Sequence, residues 1–356
     1  VLELFRAQVY GRVPAAAAGV ESCPALTRET RGAVRGTALR RQVTLALVAG
    51  DDAWNEDLLL YLPRGAGNVP VFLLLNFDGN HTVEADPSIA LTRSWVKPSA
   101  RPMEEQRGSK AGRFPLEAMM DRGYGLATAC YGDLDPDFDD GFENGAHGVL
   151  NGDGPRPPDA WGAVGAWAWG LSRILDYLET VPEIDAGRVA VAGHSRLGKT
   201  ALWAGAQDER FALVISNNSG STGAAIARGK DGETIRAIND RFPHWFCDNY
   251  KRYNEKEDEL PVDQHMLLSL AAPRPVYVAS ATEDTWADPE AEFRSCVEAG
   301  PVYELLGLRS VGARQRPAPE HPLNAGRIGY HLRTGPHDLT AYDWQCFMDF
   351  ADRHFG

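Results

Sequence analysis

The sequence predicts an α/β fold, a mostly parallel sheet covered by helices on both faces. Apolar, strand-length runs alternate with helix-like patterns along most of the 356 residues. Residues 69–77 (VPVFLLLNF) are apolar without alternation, as expected of a strand buried on both faces. Residues 188–203 (RVAVAGHSRLGKTALW) read as a strand, a sharp turn carrying Ser195, and a helix.

Taken in order, residues 1–35 carry Pro14, an alanine run at 15–18, and Pro24, and read as a segment packed on a single domain spanning 1–356. Two β-rich runs, 41–50 and 56–65, flank Gly50, Asp51 and Asp52 and predict an antiparallel hairpin. The 69–77 strand ends in the polar loop 78–82. Residues 86–113 are polar and proline-bearing, an inserted loop; a helix at 115–122 and a strand at 123–132 follow. The acidic run 133–140 (DLDPDFDD) lacks the glycine and distal glutamate of a calcium loop and reads as solvated. Residues 161–178 have helical period, and Trp161, Trp167 and Trp169 suit a buried helix. Beyond Ser195, strands are expected at 211–220 and 274–284, and 327–344 reads as a strand, a Gly-Pro turn and a helix.

A formal charge of −13 argues against nucleic acid or an anionic membrane as partner, and no apolar run reaches membrane-span length. The five cysteines lie far apart, with no C-x-x-C pair, and do not form a zinc pattern or a dense disulfide framework. No metal or other cofactor is expected, and neither is an oligomer. The chain starts at Val1 with no signal-like apolar region, so an export signal is expected to have been removed already. The sequons at Asn80 and Asn217 read as chance matches.

The strand–turn–helix at Ser195 has the form of a nucleophile elbow, the hallmark of an α/β-hydrolase fold. Its glycines are Gly193 and Gly198, with Leu197 where the commoner motif has its last glycine. A serine nucleophile needs a base and a carboxylate that orients it, in the chain order serine, acid, histidine. Of nine histidines, His337 lies in a tight turn after the last strand, where a base must hang; His331, His321 and His354 are the alternatives. Asp284, at the tip of the preceding strand, is the candidate acid, and Asp288 before Pro289 suits a helix cap better. Lys199 stands four residues after Ser195 and shares its helix face. Arg196 can offer its backbone N–H, and its guanidinium, to an oxyanion.

The strings 193–199 (GHSRLGK), 284–289 (DTWADP) and 335–337 (GPH), with 76–82 and 131–133, resemble the bacterial glucuronoyl esterases of carbohydrate esterase family 15. The resemblance runs from about residue 40 to the end. Fungal members carry cysteine before the serine, where His194 stands here. The resemblance implies a carboxylic ester hydrolase of the 4-O-methyl-glucuronoyl methylesterase type, acting on esters between glucuronoxylan and lignin alcohols. It implies Ser195 as nucleophile, His337 as base, Arg196 as oxyanion stabiliser, and Lys199, Trp286 and Glu233 as contacts to the uronate. Many members place a glutamate near Asn218; this chain has none there, which leaves Asp284 as the acid. A secreted or periplasmic enzyme is implied. Two further readings stay open on sequence alone: an acetyl-xylan or other carbohydrate esterase, and a non-catalytic carbohydrate-binding protein on a hydrolase fold.

Overall fold

The computed structural model describes residues 1–152, 154–229 and 231–356. The chain packs as two compact units. The first comprises Val1–Arg12, Pro157–Ala168 and Ala190–Gly356, the second Val13–Arg156 and Trp169–Val189.

The second unit holds β1 (Glu21–Ala33), β2 (Ala38–Ala49), β3 (Asp52–Pro63), β4 (Val69–Asn76) and β5 (Gly125–Cys130), laid side by side as β1-β2-β3-β5-β4. The expected hairpin is β2–β3, antiparallel from Ala38 opposite Pro63 to Ala49 opposite Asp52. Its turn is tighter than the sequence suggested. Gly50 takes φ 64°, the left-handed region where glycine carries no steric cost. β4 runs parallel to β5 and is buried at every position except Pro70.

β1 was not legible. Its residues are mostly exposed, so no apolar alternation marks it, and it is held by backbone pairing with β2, interrupted near Pro24 and Arg31. Charged side chains and bulges are how an edge strand avoids further pairing. The acidic run also departs from expectation, because Asp133 and Asp135 are buried rather than solvated. Asp133 accepts the Asp57 backbone N–H at 2.9 Å, and Asp135 pairs with the buried His147 at 2.7 Å.

In the first unit the end of β6 (Ile184–His194) runs parallel to β7 (Leu213–Asn217), β8 (Val276–Ala281) and β9 (Ile328–Arg333), in that order. The register sets the site. His194 lies opposite Asn217, Asn217 opposite Ala279, and Ala281 opposite Arg333, so β6 and β7 end level, β8 and β9 run two residues further, and the loops that follow all leave from the same edge. The helices Arg196–Gln207, Pro289–Leu305 and Ala341–Phe355 pack in this unit.

Residues 1–12 bury Phe5, Val9 and Tyr10, and the Tyr10 ring stacks 4.4 Å from Trp203 on the helix that follows Ser195. Trp161, Trp167 and Trp169 are buried, the last two on the helix Ala163–Leu178. Among the described residues no helix is long and apolar enough to cross a membrane, and all five cysteines are free thiols. Asn80 and Asn217, the sequon asparagines, are both buried.

Candidate active site

Ser195 sits between β6 and the helix Arg196–Gln207 with φ 59° and ψ −130°, a strained backbone for a residue with a side chain. The surroundings over-determine it. Its N–H donates to the Asn217 carbonyl at 2.9 Å, and its own carbonyl accepts from the Gly198 N–H at 2.8 Å. Gly193 is obligatory because a Cβ there would stand 1.9 Å from the Leu197 carbonyl oxygen. Gly198 is tight for a different reason: an added Cβ would meet the Ser219 side chain at 3.0 Å and the Gly193 carbonyl at 3.1 Å. That is why glycine falls one residue later than in the common motif.

His337 and Asp284 meet as expected. Nδ1 of His337 donates to Oδ2 of Asp284 at 2.6 Å, which leaves Nε2 with its lone pair free to act as a base. Burial alone would raise the Asp284 pKa, but the hydrogen bonds from His337 and Asn218 outweigh it and hold the carboxyl below its ordinary value. The competing residues have other work. His331 is buried between Tyr277 and Asp343, at 3.1 and 2.8 Å, and His354 contacts the Gly326 carbonyl. Asp288 caps the helix Pro289–Leu305 by accepting from the Ala291 N–H at 3.0 Å. His321 is exposed beside the Pro319 carbonyl.

Ser195, His337 and Asp284 line one cleft of ≈ 320 Å³ together with Arg196, Lys199, Glu233 and Trp286. All seven candidate residues therefore face one space. Trp286 is 52% exposed, and its indole N–H donates to Oε1 of Glu233 at 3.0 Å, so the ring is held as a fixed apolar face at the cleft. The Glu233 backbone N–H returns a bond to the Trp286 carbonyl at 3.0 Å, which locks the pair from both directions. Lys199 lines the cleft with its head group already engaged by the backbone. Its ammonium is buried and donates to the Ser219 carbonyl, and burial pushes its pKa down to about 8 against the opposing charges of Glu233 and Glu292. Arg196 lays its guanidinium over Phe242 and Trp245, 5.2 and 4.7 Å from their ring centroids.

Sequence reasoning missed this aromatic pair, and also missed the loop after β7. Asn217, the last residue of β7, accepts from the Ser195 N–H and from Nδ1 of His194; in the loop beyond it, Asn218 donates to Asp284 at 2.9 Å and Ser219 accepts from Lys199. The Gly220 N–H donates to Oε1 of the buried Glu292 at 2.9 Å. The signal was present as an Asn-Asn-Ser-Gly string at a strand's carboxyl end, a place where loops carry function. His194, beside the serine, packs its ring 4.5 Å from that of His337.

Residues 157–307 match the family described as glucuronyl esterase, fungi. The chain is 48% identical to the carbohydrate esterase MZ0003 of an unknown prokaryotic organism, over 99% of this chain and 83% of that protein. The structure of the glucuronoyl esterase from Solibacter usitatus superposes with a TM-score of 0.92 at 45% identity, covering 100% of this chain and 91% of that one. A 4-O-methyl-glucuronoyl methylesterase of Phanerochaete chrysosporium is 38% identical over 41% of this chain, a match that spans 33% of that protein's length. The α/β-hydrolase fold expected from the sequence is the fold of these relatives, and the chain belongs to the glucuronoyl esterases of carbohydrate esterase family 15.

Proposed function

We propose that this esterase hydrolyses the ester between the (4-O-methyl)glucuronic acid of glucuronoxylan and a lignin alcohol, through a glucuronoyl-enzyme intermediate. The observation that carries the reading is the cleft itself: a strained serine, a histidine tied to a buried carboxylate, and, facing them, a fixed tryptophan with charged partners. The name of the Phanerochaete relative, a 4-O-methyl-glucuronoyl methylesterase, supports the substrate class.

In the proposed reaction Nε2 of His337 takes the proton of the Ser195 hydroxyl as its oxygen attacks the C6 carbonyl of the uronate. The new oxyanion is met by the N–H groups that open the helix Arg196–Gln207 and by the Arg196 guanidinium, which its aromatic support keeps in place. His337 then protonates the departing alcohol. Water, deprotonated by the same nitrogen, attacks the acyl carbon, and the uronic acid leaves as Ser195 regains its proton. Asp284 orients the imidazole and stabilises its cation throughout. Trp286 stacks on the sugar ring, while Glu233 and Lys199 contact its hydroxyls. No step draws on a metal or cofactor.

The same proposal includes one catalytic domain over 1–356, acting as a monomer. The single domain is supported by single relatives that match 99–100% of the chain. A formal charge of −13 is consistent with neither nucleic acid nor an anionic membrane as partner. A secreted or periplasmic setting follows from the substrate, a wall polymer that does not enter cells.

Hydrolysis of benzyl glucuronate beside an acetylated sugar is the test. Release from the glucuronate is expected to be the faster, with kcat falling about 10⁴- to 10⁶-fold in Ser195→Ala. A preference for acetate would reassign the chain to the acetyl-xylan type, and retained turnover in clean Ser195→Ala protein would overturn the nucleophile. Binding of the glucuronate without turnover by the wild type would favour a non-catalytic protein.

A further inference from the structure

Two stretches that the sequence left without a role, the inserted loop 86–113 and the residues 132–149 around the acidic run, line one cleft within the second unit, with a volume of ≈ 780 Å³. Its size falls in the range of ligand clefts, roughly 300–1,000 Å³. Trp95 comes from the first loop, Phe138, Glu143 and Asn144 from the second, and Trp54 and Asn55 from β3. None of these residues belongs to the cleft around Ser195.

The aromatic rings are braced from behind. Trp95 lies 5.8 Å from Phe138 and packs edge-on against Tyr131 at 5.9 Å, while Trp54 stacks on Trp169 at 5.8 Å. The loop carrying Trp95 is held down hard: a Cβ at Gly132 would stand 1.9 Å from the Trp95 carbonyl oxygen. Phe138 nevertheless leaves 42% of its surface in solvent. Trp54, Trp95 and Phe138 thus gather aromatic surface at one cleft, and a gathered apolar patch rimmed by polar groups marks a binding groove where a single exposed ring would not.

The polar groups identify what would cover it. Arg93, at the same cleft, is neutralised by Asp57, with Nη2 3.0 Å from each carboxylate oxygen. Glu143, the Asn55 amide and the Asn144 amide oxygen, its nitrogen already bonded to Asp140 at 2.8 Å, stand at the rim as groups suited to hydroxyls rather than to an anion. Aromatic faces receive the C–H faces of pyranose rings, while carboxylate and amide side chains bond to equatorial hydroxyls. A purely aromatic ligand would use the rings and leave the rim unmatched. We infer that this cleft binds a neutral pyranose chain, separately from the ester-cleaving site. The choice of xylan as that chain rests on the substrate reading above.

The test is calorimetric titration of xylohexaose into the full chain carrying Ser195→Ala. Xylohexaose has no uronate and no ester, and the readout is heat of binding. A protein inactive on benzyl glucuronate therefore still gives an answer here. Saturable binding is expected, with Kd raised about tenfold by Phe138→Ala and by Trp95→Ala. Circular dichroism and Tm establish that each variant is folded; should Trp95→Ala not fold, the solvent-facing Phe138 decides. Absence of binding, or a Kd unmoved by Phe138→Ala, overturns the inference. So does a dimeric lignin-type alcohol that binds at this cleft where xylohexaose does not.

Discussion

Asp284 accepts two hydrogen bonds on one oxygen, from Nδ1 of His337 and from the amide of Asn218. The amide fixes the carboxylate's rotation, so that its best lone pair meets the imidazole. Asp284→Asn should lower kcat by about 10⁴-fold, because an amide can present the wrong group to Nδ1 and stabilise the wrong tautomer. Asn218→Ala should cost less, about tenfold in kcat with KM little changed, since the carboxylate remains but is freer to turn. Steady-state kinetics on benzyl glucuronate separates the two, and an Asn218→Ala loss confined to KM would contradict this reading. Lys199 yields a pH prediction. Burial brings its pKa down to about 8, so the ammonium is present below that pH and lost above it. KM for a uronate ester should therefore rise as pH passes 8, and Lys199→Met should show a raised KM with no such step. At this scale the shared cleft of Ser195, His337 and Asp284 was legible as a candidate triad because chain order and strand ends constrain one. Asn218 was not, since the absence of a carboxylate there says nothing about what an amide does.

The element that assembles the site is the loop after β7, and Glu292 anchors it from the helix Pro289–Leu305. Its two oxygens accept from the Gly220 N–H and from the Ser280 hydroxyl, the latter at 2.6 Å from β8. Full burial pushes the Glu292 pKa up to about 7, with the carboxylate of Asp284 adding to the rise and Lys199 opposing it. Below pH 4.5 the carboxyl is protonated in folded and unfolded chains alike. Between pH 4.5 and 7 the unfolded chain ionises first, so folded stability falls as pH rises, by about 3 kcal/mol over the interval. Glu292→Gln preserves an acceptor for Gly220 and a polar partner for Ser280 without the charge. Its Tm should match wild type near pH 4 and exceed it near pH 8, as read by calorimetry. Parallel Tm curves for the two proteins would refute the burial argument. Gly193→Ala belongs to the same scale: a Cβ 1.9 Å from a carbonyl oxygen should prevent the elbow from forming, with loss of soluble folded protein.

Across the whole molecule the formal charge of −13 means self-repulsion at neutral pH. Raising ionic strength from about 0.01 to 0.15 M shortens the Debye length from about 30 to 8 Å, and Tm should rise by a few degrees. A fall in Tm over that range would mean that attractive pairs outweigh the net repulsion. The sequence by itself determined the α/β class, the hairpin, the buried tryptophan helix and the identity of the three catalytic candidates. These rest on local rules: side-chain period, glycine at a strained turn, and the order in which strand ends present serine, acid and base. Tertiary structure decided the rest. It turned Lys199 onto the Ser219 carbonyl, set Arg196 on Phe242 and Trp245, buried Asp133 and Asp135, and made an edge strand of the charged stretch Glu21–Ala33. Each depends on partners tens of residues away or on backbone pairing, and neither leaves a periodic trace in the chain.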